Sequence, residues 1–306
     1  MQYRKLIQHG PSSLTVALPY KWVNKNGLQK GDSVALEEDE QGLRIAMKPM
    51  ERSRAIALDL SGNDFPSTVT ILTTVYRRGY DEVAISYRTP EEYQHVSSAV
   101  RMLLGFGVLE NRKSRCVIKS LPTQIEQDFP TLFRRVFLIL LQMLEDLGDV
   151  VGDPQSLRTF YHRDADLNSI VNLAIRMVNK GFVQDRYEEL HIFHTLLLLE
   201  ECGDDVTRFT IELQQSKHGA KMKDAVQKCA GMVRLLYDTY FQKKGGVMDF
   251  YKQYYLYWPD AKKAPTPVYD FYAKAKDKPV FYLRSIVEKV VHLAEILLLP
   301  QTMDQH

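Results

Sequence analysis

The sequence predicts a multidomain α+β protein: an N-terminal β domain over residues 1–50, a small α/β domain over 53–121 and an all-α region of helical bundles over 123–306. Three observations carry this. Residues 1–48 hold short alternating apolar stretches broken by Pro and Gly. From 53 to 121 the patterns run β-α-β-α-β-β, the signature of a small layered α/β domain. Beyond 123 the apolar residues recur at helical spacing in long stretches.

In the first segment Leu14–Leu18 reads as a strand that stops at Pro19, because Pro is poorly tolerated inside a sheet. Tyr20–Asn26 fits one or two helical turns. Ser33–Leu36 and Leu43–Met47 read as strands, with the acidic stretch Glu37–Gly42 as the hairpin loop between them. In the second segment Arg54–Leu60 is a strand, and Ser61–Pro66 a loop into a helix that ends at Arg78 before Gly79. Val83–Tyr87 is the next strand. Thr89, Pro90 and Glu92 spell a helix start with a capping box, and that helix is expected to reach about Leu104. Two strands, Val108–Asn111 and Arg115–Lys119, close the domain. In the third segment helices are expected over 132–150, 166–179, 187–213, 223–243 and 279–298, with shorter ones near 247–257 and 267–275. Several helices joined by short turns make an antiparallel bundle.

Charge is sorted along the chain. The net charge is only +2, yet Arg4, Lys5, Lys21, Lys25 and Lys30 precede the first carboxylate, Asp32. Such a local excess of cations neutralises phosphates, the sequence-independent part of nucleic-acid binding. The plain alternative is the solvated face of a dimerisation domain. The three cysteines are far apart, form no metal spacing and fit a reducing compartment. No stretch approaches the roughly 18–20 apolar residues of a membrane helix, and the start lacks a signal-peptide core. A soluble, cytoplasmic protein without membrane insertion is expected.

The frame Leu18-Pro19, Lys21-Trp22, Gly27-Leu28, Gly31-Asp32 and Val34 resembles the AbrB/MazE/SpoVT family of DNA-binding domains. The resemblance covers about 45 residues and implies a swapped-hairpin homodimer that grips DNA. Carried onto matching positions, it assigns DNA contact to Arg4, Lys5, Lys21 and Lys25, with Ser12 and Ser13 as phosphate donors. Many members place an Arg shortly before the Leu-Pro step, where this chain has Ser13-Leu14-Thr15. Lys grips phosphate as a point charge, so phosphate anchoring is expected more than base readout.

Carboxylates mark the helical region. Glu200 and Asp204 are four apart and share one helix face beside the apolar segment Ile192–Leu199. Like charges there need a partner, and a cation is one answer. Gly203 between them costs about 1 kcal/mol relative to Ala, which points to close packing or a ligand. Leu144-Glu145-Asp146-Leu147-Gly148-Asp149 repeats the pattern, and Asp164 with Asn168 gives a third oxygen pair. Three helices are thus expected to aim hard oxygen ligands at one seam, for Mg, Mn, Fe or Ca. For Glu145 and Asp149 a solvated helix end remains an equal reading.

Leu199–Asp204 is similar to the metal motif of PhoU, the phosphate-signalling regulator. That resemblance covers roughly 125–300 and implies two three-helix bundles, each with a metal motif, and contact with a phosphate-transporter ATPase. The second motif is degenerate: it falls at Glu288 and His292, where His replaces Asp. An AbrB-type domain, an α/β spacer and a PhoU domain in one chain look like a group of archaeal regulators. The expectation is a non-enzymatic, DNA-binding regulator of phosphate uptake. The alternative is an adaptor that uses its N-terminus only to dimerise and regulates a phosphate transporter by protein contact.

Overall fold

The computed structural model describes residues 3–39, 42–47, 54–121, 128–183, 185–214, 222–258 and 278–303, and shows a mixed α+β protein with small sheets and a C-terminal helical region. The chain divides into two compact units, Met1–Ser53 and Arg54–His306.

The first unit holds two separate antiparallel pairs: β1 (Leu6–Gln8) with β2 (Leu14–Val16), and β3 (Val34–Asp39) with β4 (Gly42–Met47). Helix α1 (Tyr20–Lys25) lies between them in sequence. Strand β1 is absent from the sequence expectation, since three residues are too few to show alternation. The acidic stretch is mostly strand, because Glu37, Glu38 and Asp39 pair with Arg44, Leu43 and Gly42. Among the described side chains of this unit none is buried, and Leu6, Ile7, Leu14, Leu36 and Leu43 are all about 60 % exposed.

The second unit begins with a four-stranded sheet in the order β5-β6-β8-β7. Its strands are β5 (Ala55–Asp59), β6 (Glu82–Ser86), β7 (Phe106–Arg112) and β8 (Arg115–Ser120); β5 and β6 are parallel and the other pairs antiparallel. Helices α2 (Phe65–Arg77) and α3 (Pro90–Val100) pack on each other. Asp64 caps α2 through Ser67 N–H, and the Thr89–Glu92 capping box opens α3 as expected. Helix α3 ends four residues early. Met102 and Leu103 tighten onto Ala99 and Val100, and Gly105, with φ of 77°, turns the chain into β7. Val83, Ile85, Cys116 and Ile118 are buried from the strands, and Leu72, Val75, Val96 and Val100 from the helices.

The helical region comprises α4 (Phe129–Val150), the single turn α5 (Pro154–Leu157), α6 (Phe160–Asn179), α7 (Arg186–Gln214), α8 (Lys223–Gln242), α9 (Val247–Tyr257) and α10 (Lys278–Met303). The expected helix near 267–275 lies outside the described residues. Pairwise packing runs α4–α8, α8–α10, α10–α7, α7–α6 and α6–α4, and α4 also meets α7.

Helix α2 packs on α6, so the α/β layer and the helices share one unit. Arg176 makes that junction. It is 1 % exposed and donates to the Tyr76 carbonyl (3.1 Å), the Tyr80 carbonyl (2.6 Å) and the Asp81 carboxylate. Its guanidinium lies 5.1 Å from the ring centres of both Tyr76 and Phe106. Lys180 joins Asp81 at 2.8 Å, and Asn179 donates to the Arg77 carbonyl at 2.8 Å. Burial pushes the Asp81 carboxyl up, but bonds from Lys180 and the Arg54 N–H, with the Arg176 charge, hold it below its ordinary value. Arg176→Met takes one donor from the Tyr76 carbonyl, which keeps the Gly79 N–H, takes the side-chain donor from the Tyr80 carbonyl just beyond α2, and leaves Asp81 with Lys180 as its cation. Urea unfolding should show a loss of about 3 kcal/mol or more, whereas exposed Arg78→Met should change stability by less than about 0.5 kcal/mol.

Candidate functional site

Where α6 crosses α7, the helices approach so closely that a side chain at Gly203 does not fit. A Cβ there would sit 2.4 Å from Leu167 Cδ2 and 3.1 Å from Asp164 Oδ1. Gly203 is the residue of α7 that lets the Asp164 carboxylate lie against the α7 backbone. Glu200 and Asp204 flank that glycine in sequence, and their charges act on Asp164.

Asp164 is 91 % buried, since its exposure is 9 %. Its Oδ2 accepts a long 3.4 Å bond from Asn168 Nδ2, and its Oδ1 has no hydrogen-bond partner. Asn168 Oδ1 is likewise buried without a partner. Burial first, then the Asp204 and Glu200 charges, push the Asp164 carboxyl up to about 6; Arg208 opposes them. Glu200 pairs with Arg77, whose Nε also donates to Asn172 Oδ1 at 2.6 Å. Asp204 pairs with Arg208 at 2.8 Å on its own helix. A cleft of about 380 Å³ opens here between α2 and α6, lined by Arg77, Asp164, Asn168, Asn172 and Glu200 among others.

The Asp204 and Glu200 charges thus act on Asp164, and Asp164 and Glu200 line one cleft, though among the described residues no three acidic, His or Cys side chains are placed to hold a metal ion. Glu145 and Asp149 do not join this group. Both are exposed, and Glu145 accepts from Arg234 on α8 at 2.5 Å. The glycine of that motif copy, Gly148, also faces α8, with its would-be Cβ 3.3 Å from Gln227 Cγ. Two copies of one local pattern therefore serve two seams, α4–α8 and α6–α7, not the single seam expected. At the degenerate copy Glu288 accepts from Arg284 at 2.7 Å and His292 is exposed.

In the N-terminal unit Arg4, Lys5, Ser12, Lys21 and Lys25 are exposed. Lys21 and Lys25, four apart on α1, share one face. The Ser13 hydroxyl donates to the His9 carbonyl and closes the β1–β2 turn, so its proton is already engaged.

In sequence Arg77 reads as part of a candidate basic patch with Arg78; its pairing with Glu200, 123 residues away, is not legible there. Its place in the last turn of a helix favours a cation for other reasons.

Asp164 has a folded pKa of about 6 against an ordinary 3.8. The native state then binds more protons than the unfolded chain between those values, so this group's contribution to stability falls as pH rises through them. In chelator-treated protein Asp164→Asn should gain on wild type by about 2–3 kcal/mol between pH 4 and 7. A difference independent of pH in urea unfolding would remove the raised carboxyl from the site. Gly203→Ala should lose about 1–3 kcal/mol despite its better helix propensity, with partial recovery on adding Leu167→Ala. Compared with protein-family models, curated proteins and solved structures, the chain matches none, and the chemistry of this site is read from its own side chains.

Proposed function

We propose that the chain is a DNA-binding transcriptional regulator of phosphate uptake. In this reading it acts as a homodimer through its N-terminal unit, and its helical region holds a hard cation and senses or docks. The observation that carries the proposal is that no side chain is buried among the described residues of the first unit. Two-stranded sheets with no buried side chain among the described residues are marginal alone. Covering an exposed Leu or Ile contributes about 1.5–3 kcal/mol each. A second copy with the same exposed Leu6, Ile7, Leu14 and Leu36 is the natural cover, in keeping with the swapped-hairpin resemblance.

On this unit Arg4, Lys5, Lys21 and Lys25 are exposed and precede any acid in the sequence, an arrangement suited to phosphate contact. The link to phosphate uptake comes from the PhoU-like motif around Glu200 and Asp204.

For the cation, the donor chemistry fits. Asp164 Oδ1 is a buried acceptor without a donor, flanked by two carboxylates, and an all-oxygen set suits Mg, Mn, Fe or Ca. Among the described residues no three acidic, His or Cys side chains converge as metal ligands in the present arrangement, where Glu200 faces Arg77 and Asp204 faces Arg208. Asp164, Glu200 and Asp204 are the ligands proposed. A bound cation would supply the charge that lets all three ionise together.

Sedimentation should give a dimer that Leu14→Asp with Leu36→Asp converts to monomer. Anisotropy with duplex DNA should show log K falling steeply with log salt. Lys21→Ala/Lys25→Ala should flatten that slope by about 2 to 4, since two or four phosphate contacts disappear from a dimer. A dimer without DNA affinity at low salt identifies the adaptor instead, and a monomer overturns the proposal.

A further inference from the structure

We propose that Arg77 is a built-in competitor for the cation site. Its guanidinium holds Glu200 when no ion is bound, and an ion on Asp164, Glu200 and Asp204 displaces it, loosening the end of α2 from α6 and α7. The proposal rests on the cation reading of those three carboxylates and adds what occupancy does to the rest of the unit.

Arg77 belongs to the last turn of α2, in the α/β layer, while Glu200 belongs to α7. The pair is a direct charge link from that layer to α7. Both side chains are 23 % exposed, so the pair is neither a surface pair nor fully desolvated. Arg77 is held from two sides, by Glu200 and by Asn172 Oδ1 at 2.6 Å. It shares its cleft with the two unpartnered buried oxygens, Asp164 Oδ1 and Asn168 Oδ1. The cleft therefore contains acceptors that want a cation and one cation already bonded elsewhere within it.

A carboxylate can serve two cations, as Asp81 does, but each weakens the other's hold, so an ion on Glu200 competes with Arg77. An ion among the three carboxylates would stand a few ångströms from the guanidinium, where like charges repel strongly in a partly buried site. Ion and Arg77 therefore compete for Glu200, and their linkage is reciprocal: what the ion loses by weakening the Arg77 pair, the α2 contact loses when the ion binds. Arg208 is a weaker rival. It is 51 % exposed and bonds Asp204 and Asp205 within its own helix, so it links α7 to no part of the α/β layer. The loosening stays local, because Arg176 and Asn179 hold the neighbouring carbonyls at and just beyond the end of α2 independently of Glu200.

The test uses chelator-treated full-length protein and manganese(II) chloride. In calorimetry Arg77→Gln should bind manganese about 10- to 100-fold tighter than wild type, the range set by one charge-assisted hydrogen bond. Arg77→Lys keeps the charge and should stay close to wild type. In wild type, saturating manganese should speed amide exchange across residues 70–78 and leave α8 unchanged, a readout that needs no variant to fold. Equal manganese affinity in wild type and Arg77→Gln, or unchanged exchange at 70–78, overturns the inference while leaving the cation site standing. Absence of manganese binding in both proteins overturns the cation reading itself.

Discussion

A single buried guanidinium sets the geometry of the larger unit. Arg176 brings a permanent charge into a nearly water-free junction, which is tolerable only because three acceptors and two ring faces receive it. Two of those acceptors, the Tyr76 and Tyr80 carbonyls, lie at and just beyond the end of α2, where helix carbonyls lack intrahelical partners. With these and the Arg77 carbonyl satisfied by α6, α2 can end against another helix instead of in solvent. Lys could not replace this arrangement, since its point charge lacks the planar fork that reaches several acceptors at once. The placement of Arg77 follows directly. It is the next residue after Tyr76, so the anchor that fixes α2 also delivers Arg77 to the cleft facing Glu200.

Much of the local structure was legible in the sequence. Thr89, Pro90 and Glu92 act through the next few residues, and Gly79 accommodates a φ of 77°, so both could be read where they stand. The long helices were legible because periodic apolar residues report one covered face. Errors fell where local signal is weak: the three-residue β1, the early end of α3, and strand inside an acidic stretch. A sharper sign was present in α6. From Ile170 to Val178 every residue is buried, which describes a helix covered on all sides rather than one with a single face. That run, with Arg176 inside it, marks the place where the α/β layer docks.

The candidate site divides in the same way. Glu200 with Asp204, and Asp164 with Asn168, were legible as four-residue spacings. Gly203 was legible as a cost that needed a reason, and the reason is the close pass of α6. The sequence could not distinguish the two motif copies. Glu145 and Gly148 face α8, where Arg234 answers the carboxylate; Gly203 faces α6, which contributes another acid instead of a base. What separates them is the partner helix, and partner identity is tertiary information. Adjacent positions share Arg208 and then differ: Asp204 is partly exposed, while Asp205, 3 % exposed, also pairs with Lys289 on α10. One acid thereby ties α7 to its far neighbour, and the charge of the one before it acts on Asp164.

The two units solve the problem of stability by different means. From Arg54 onward the chain buries its own apolar residues, and its charged groups are placed against a core that already exists. The first unit has the same kinds of apolar residues and no such core among its described side chains. Small domains bury too little surface to offset the entropy of ordering, and two-stranded pairs bury less still. On the proposed reading its strands draw that surface from a second copy. Folding of the unit and assembly then become one equilibrium, whose midpoint shifts with protein concentration. On the same reading the basic residues of that unit are doubled in the assembled form, and phosphate affinity would then belong to the dimer rather than to the chain.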